Sequence, residues 1–243
     1  RAHLAGIIHR DVKPENIMLR RDGSPVLMDF GIAQMVDMPT LTATGTMLGS
    51  PAHMAPEVID GTDIGAPADI FSVGTTLYWL ISGSLPFSGP NPSALFRRIL
   101  ETDYVPLIQR RPLAGRQIAH LIDSCLAKNP NERPSAKALH QKIKTLLVGI
   151  GISEFRGELR NYNSDPAVYE ESLTSQIIPK LLQQAQEAHA AKNVGLCLDL
   201  LDRIFILHPQ NGEAQALLRR VERSQTIQKT LFIAAIIFCG LLP

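Results

Sequence analysis

A mainly helical chain with one small β hairpin near its start is the fold class this sequence predicts, on three observations. Two apolar triplets, Ile17-Met18-Leu19 and Val26-Leu27-Met28, flank Arg20 to Ser24, whose Asp22-Gly23 pair is a hairpin turn signal. The stretch from Asp69 to Phe87 is apolar on nearly every side and stops at Ser82-Gly83 with Pro86 beyond, the signature of a buried helix and its end. From residue 177 onward, apolar side chains recur at helical spacing: Leu181, Ala185 and Ala188, then Leu198, Leu201 and Ile204.

Taken in order, residues 1–8 read as the last turns of a helix and His9 to Asn16 as a tight loop. The hairpin then returns Asp29 toward Asn16. Residues 32–50 lack a period and hold Thr40, Thr42, Thr44 and Thr46, as expected of a loop. In the helix that follows, Tyr78 and Trp79 are expected in the core, and Asp69 reads at this level as an ordinary N-cap. Two amphipathic segments, His120 to Lys128 and Ser135 to Leu147, flank the loop Asn129 to Pro134, and a first domain closes near residue 149. Residues 150–176 turn polar, with Tyr162, Asn163, Ser164, Asp165 and Pro166 breaking any period, and read as a linker. Helices over 177–224 follow, the second closing at His208-Pro209 and the third running from Gly212 to Arg223.

At 243 residues, 45% hydrophobic and 19% charged, the chain can bury a sizeable core, and its length predicts about two domains. A net charge of +1 gives no field for nucleic acid, and no arginine-rich run or aromatic stacking pattern accompanies it. The three cysteines, Cys125, Cys197 and Cys239, lack metal spacing and are read as buried thiols of a reducing compartment.

The chemistry lies in His9-Arg10-Asp11-Val12-Lys13-Pro14-Glu15-Asn16, with Asp29-Phe30-Gly31 one hairpin later and Ala55-Pro56-Glu57 beyond. Asp11 and Asn16 sit five residues apart on one loop, and Asp29 comes from a second loop that folds back beside them. Phosphoryl transfer needs such a set: a carboxylate to orient and deprotonate the attacking hydroxyl, oxygen ligands for Mg²⁺, and a cation on the moving charge. Taken singly, each acid is better explained as a capping or turn residue; the four ordered motifs together are not.

This pattern resembles the C-terminal lobe of eukaryotic-type serine/threonine protein kinases, with the catalytic loop, the DFG acid and the APE segment in family order. The resemblance implies ATP and Mg²⁺ as cofactors, Asp11 as base, Lys13 on the phosphate, and Asn16 and Asp29 on the metal. It implies supporting roles for His9 and for Arg10, which in such kinases pairs with a phosphorylated loop residue, here Thr42, Thr44 or Thr46. Ser50 stands where the family has threonine and can bridge Asp11 and Lys13, and His53 stands where relatives often carry tyrosine, read as a packing substitution. Asp69 is expected to hold the catalytic-loop backbone, and Arg133 to pair with Glu57. No Gly-rich loop with a strand lysine occurs in the chain, so an N-terminal lobe is expected as a partner and the isolated chain is expected to be inactive. Lys13 two residues after Asp11 favours serine or threonine over tyrosine as acceptor.

The resemblance also implies protein substrates and admits a homodimer. The 177–224 segment resembles one and a half tetratricopeptide units of about 34 residues each. Residues 230–243, with the apolar run Leu231 to Leu242 behind Arg219, Arg220, Arg223 and Lys229, look like the start of a transmembrane helix. That places the kinase side in the cytoplasm of a single-pass membrane protein of bacterial receptor type. The competing readings are a non-catalytic scaffold of pseudokinase type and a small-molecule phosphotransferase, which would lack the APE segment and its Arg133 partner.

Overall fold

The computed structural model describes residues 2–30, 51–62 and 64–224. The chain divides into two compact units, Arg1–Pro166 and Ala167–Pro243. Both are helical, and the only sheet among the described residues is a two-stranded one.

In the first unit a short 3₁₀ turn, His3–Ala5, precedes the loop around Asp11, and a second, Pro14–Asn16, leads into strand β1 (Ile17–Leu19). Strand β2 (Pro25–Leu27) runs antiparallel to it, with Met18 opposite Val26. It starts one residue before the expected run, since a proline is tolerated at the first position of an edge strand. The turn closes as Gly23 N–H donates to Arg20 C=O at 3.0 Å and Arg20 N–H to Ser24 C=O at 3.0 Å. Gly23 takes φ +81°, which a three-residue hairpin loop requires of its last member.

Helices α1 (Pro56–Ile59), α2 (Ala66–Ser82), α3 (Pro92–Glu101), α4 (Leu107–Arg110), α5 (Arg116–Cys125) and α6 (Ala136–Gly149) make the body of this unit. Helix α2 begins three residues before Asp69, with Pro67 in its first turn, and ends at Gly83 (φ +72°), whose N–H donates to Trp79 C=O. Phe71, Tyr78, Phe87, Ile99, Leu107 and Leu126 are fully buried around it. Each contributes about 1.5–3 kcal/mol by leaving water. Phe71 stacks on Phe87 at 5.8 Å, and Tyr104 meets the Phe87 edge at 5.3 Å. Contrary to expectation, Trp79 and Leu80 are not core: they are 39% and 62% exposed, on the flank that faces solvent at the end of α2. Gly74 lets α2 and α5 touch, for a methyl group there would stand 2.8 Å from Cys125 Cβ.

The stretch read as a linker is helical. Helix α7 (Phe155–Ser164) and the start of α8 (Pro166–Ala190) together fill most of it, with one residue between them. Pro166 explains both the broken period and the break itself, because it forces Asp165 into an extended conformation (φ −155°) between two helices.

The second unit is built on three buried stripes. They are Leu181, Leu182, Ala185 and Ala188 of α8; Cys197, Leu200, Leu201 and Ile204 of α9 (Val194–Leu207); and Ala214, Leu217 and Val221 of a helix over 212–224. The α9 stripe is centred on Cys197 and Leu200, with Leu198 at its half-buried edge. Asn193 and Asn211 cap the last two helices by accepting from Leu196 N–H and Ala214 N–H. Cys125 and Cys197 are buried free thiols, and burial pushes the Cys125 thiol up to about 11. The run Leu231 to Leu242 lies outside the described residues; among those described, no helix is long and apolar enough to cross a membrane.

Candidate active site

The loop from His9 to Asn16 is held from behind by one carboxylate. Asp69, in the first turn of α2 and 4% exposed, accepts His9 N–H at 2.9 Å, Arg10 N–H at 2.8 Å and His3 Nε2 at 2.7 Å. It therefore does not cap its own helix, which starts behind Gly65. His9 ties the loop to the hairpin. Its Nε2–H donates to Met28 C=O at 2.8 Å and its Nδ1 accepts Asp11 N–H at 3.3 Å, which fixes the tautomer. The ring lies 4.7 Å from that of Phe30. Arg10 and Asp29 both sit at positive φ, 68° and 54°, a backbone strain that non-glycine residues adopt where surrounding contacts over-determine them.

Val12 points into the core, 5% exposed, so its neighbours Asp11 and Lys13 point the other way. Lys13 Nζ stands 2.8 Å from Asp11 Oδ2, and Asn16 Nδ2 donates to that oxygen at 2.8 Å and to Asp11 C=O at 2.7 Å. Among the described residues, nothing bonds to Asp11 Oδ1. Asn16 spends its amide N–H groups on Asp11, which leaves its Oδ1 uncommitted to that residue. Met28 N–H donates to Asn16 C=O at 2.8 Å, extending the hairpin ladder so that Asp29 leaves the sheet beside Asn16. The Asp29 side chain is exposed.

Amide oxygen and carboxylate are hard donors, and one or two protein ligands beside phosphate oxygens is how Mg²⁺ is usually held, so Asn16 and Asp29 fit that ion. Among the described residues, no group of three His, Cys, Asp or Glu could hold a metal by itself. The arrangement offers a carboxylate with one oxygen held by a cation and an amide and, among the described residues, the other without a partner.

Behind the corner, Glu57 and Arg133 form a buried bidentate pair, Nη1 to Oε1 at 2.6 Å and Nη2 to Oε2 at 2.8 Å. Arg133 also donates to the carbonyls of Pro67, Ala127 and Lys128, so all five of its N–H groups are used, and it lies over the Phe71 ring at 4.9 Å.

His53 is buried, as a packing substitution would be, and polar bonds anchor it there: its Nδ1–H donates to Thr75 Oγ1 at 2.7 Å, and Ser72 Oγ–H donates to its carbonyl at 2.8 Å. Thr75 Oγ–H is already committed to Ser72 C=O, so it must act as the acceptor from His53. Burial holds the imidazole below its ordinary range. A partner 22 residues away left no local signal of this. His3 was likewise missed, its contact with Asp69 spanning 66 residues. Thr42, Thr44, Thr46 and Ser50 lie outside the described residues.

Residues 2–143 match the family model described as protein kinase domain. The chain is similar to the serine/threonine-protein kinase PkaB of Streptomyces coelicolor, 38% identical over 154 residues covering 60% of this chain and 36% of the relative. It is also similar to the serine/threonine-protein kinase PknL of Mycobacterium tuberculosis, 33% identical over 156 residues covering 64% and 39%. A crystal structure of Rad53 in complex with AMP-PNP aligns at 33% identity over 58% of this chain and 36% of that chain, with a TM-score of 0.46. The chain thus spans little more than a third of the length of these curated relatives.

Proposed function

This chain belongs to the protein kinase domain family, its match covering more than half of the 243 residues, and from that premise we propose that it carries the phosphoryl-transfer corner of a protein serine/threonine kinase. The observation that supports this best is the asymmetry of Asp11: Oδ2 is held by Lys13 and Asn16, while among the described residues nothing bonds to Oδ1. Asp11 orients the acceptor hydroxyl and takes its proton as the hydroxyl oxygen bonds to phosphorus and ADP departs. Lys13 sits beside that oxygen to offset charge on the transferring group. Asn16 Oδ1 and the Asp29 carboxylate would hold Mg²⁺, which when bound neutralises phosphate charge. The serine/threonine preference follows the named activity of the similar proteins and the lysine two residues after Asp11.

The reading includes a second lobe that grips the nucleotide. Ile17, Met18, Leu19, Met28 and Phe30 leave apolar surface exposed beside the loop, from 37% to 53% of each residue, which a covering element would take out of water. Membrane attachment through residues 231–242 belongs to the same proposal and rests on their hydropathy alone.

The test is transfer of labelled phosphate from ATP to a protein substrate by the full-length protein carrying this chain. Asp11→Asn is expected to lower the rate by about 10²–10⁴ without loss of folding, whereas a wild-type rate in that variant overturns the assignment. The 243-residue chain alone is expected to show no transfer; activity there removes the need for a second lobe.

A further inference from the structure

Three strand pairs and a turn make a weak hairpin, and this one buries little. Ile17, Met18 and Leu19 are all exposed, and an isolated two-stranded ribbon is marginal in water. It must be pinned at its ends. One end is the Asn16 and Met28 foot, tied to His9. The other is the turn, where Gly23 alone is buried between exposed Asp22 and half-buried Ser24. What buries it is helix α7. A side chain on Gly23 would overlap the Arg156 carbonyl oxygen and come within 2.8 Å of Arg160 N, so the turn and the α7 backbone meet with no room between. Within the turn, Asp22 accepts Ser24 N–H at 2.9 Å, which holds its carboxyl below the ordinary range, with smaller contributions from Arg20 and Arg156.

We propose that α7 is a positioning strut for the candidate metal pair, seating its backbone on Gly23 to hold the hairpin tip so that the hairpin holds Asn16 at one foot and Asp29 at the other. The lever is short, three residues a strand or about 10 Å at strand rise, so a tilt at the tip is felt at both feet. Asp29 is the sensitive end, since its left-handed backbone persists only while its neighbours are fixed. Arg156 and Arg160 act through the hairpin and are positioning residues. This inference rests on the kinase reading for its consequence, though not for its mechanics.

The test compares Gly23→Asn with Gly83→Asn. Asparagine tolerates a left-handed backbone, so both variants keep their turns; position 83 has open space within 4 Å, whereas position 23 has α7. In the full chain, Gly23→Asn is expected to speed hydrogen exchange of the Met28 amide about tenfold relative to Gly83→Asn, as local opening does. Equal exchange in the two variants overturns the strut. Arg160→Pro, which kinks α7 and leaves the hairpin sequence intact, is expected to give the same result and serves if Gly23→Asn does not fold.

In the kinase-active protein carrying this chain, the Mg²⁺ concentration for half-maximal rate is expected to rise about tenfold, as loss of a supporting contact does, with KM for the protein substrate unchanged. Faster exchange with an unaltered Mg²⁺ requirement overturns the positioning role and spares the kinase reading. A wild-type protein without transfer activity overturns the kinase reading, and the exchange comparison still decides the mechanical claim.

Discussion

The corner around Asp11 and the pair Glu57–Arg133 sit in one unit and are built on opposite terms. At the corner the charges are in reach of water, with Lys13 and Asp11 side chains 15% and 24% exposed, and two non-glycine residues hold left-handed backbones. At the pair, side-chain exposure is 0% and 6%, every guanidinium N–H is used, and no strain is visible. The difference separates reactivity from rigidity. Groups that must meet a substrate cannot be sealed, so their precision is supplied from a dry region behind them. Helix α2 joins the two, offering Asp69 to the loop and the Pro67 carbonyl to Arg133 within its first turn.

The largest effect expected from breaking this contrast is at the pair. Arg133→Ala should cost about 3–5 kcal/mol in urea unfolding, because Glu57 would stay buried without its partner; an unchanged midpoint would show that the dry region supports nothing. Asp69→Ala should cost less, about 1.5–3 kcal/mol for its charge-assisted bonds. It should also speed exchange at the His9 and Arg10 amides while leaving the Phe71 core protected. If all amides loosen together, Asp69 is part of the body and not the link.

Asp29→Gly sharpens the comparison from the other side. Glycine adopts φ 54° freely, so the variant should be more stable by about 1 kcal/mol, while on the metal role proposed for Asp29 the phosphotransfer assay on the full-length protein should fail. Loss of stability would mean the backbone there is unstrained.

The smallest effect concerns His53. Its imidazole lies below 6.5 in the fold because it is buried, so as pH falls under 6.5 the unfolded chain takes up the proton first. Its contribution to stability is full above 6.5 and is lost on acidification toward the folded value. His53→Gln should therefore show a shallower fall of Tm than the wild type just below 6.5, and parallel curves would refute the burial argument.

Much of the corner was legible because it is local. Asp11, Lys13 and Asn16 lie within six residues, and the Asp22-Gly23 turn brings Asp29 back over a span too short to wander. Helix α2 was legible from its apolar run and its Ser82-Gly83 stop, though Ala66 and Pro67 at its start resemble loop residues. Helix α7 was hidden for a physical reason: none of its residues is buried, so it carries no apolar stripe, and what seats it is backbone against Gly23. His53 and Thr75 could not be paired from sequence either, since hydrogen-bond partners on separate elements leave no period.

One contact in the body has a consequence for how such a chain can vary over generations. Alanine at position 74 would bring its methyl 2.8 Å from Cys125 Cβ and 3.0 Å from Leu126 Cδ2, an overpacking that costs about 1–3 kcal/mol. Because the first clash is with a Cβ atom, replacing Cys125 by serine or alanine does not relieve it; only glycine at 125 would. The small residue between α2 and α5 can thus pass from one helix to the other, through an intermediate with either an overlap or a void, but the pair cannot lose it. The space at positions 74 and 125 is one shared constraint, although the two lie 51 positions apart in the chain.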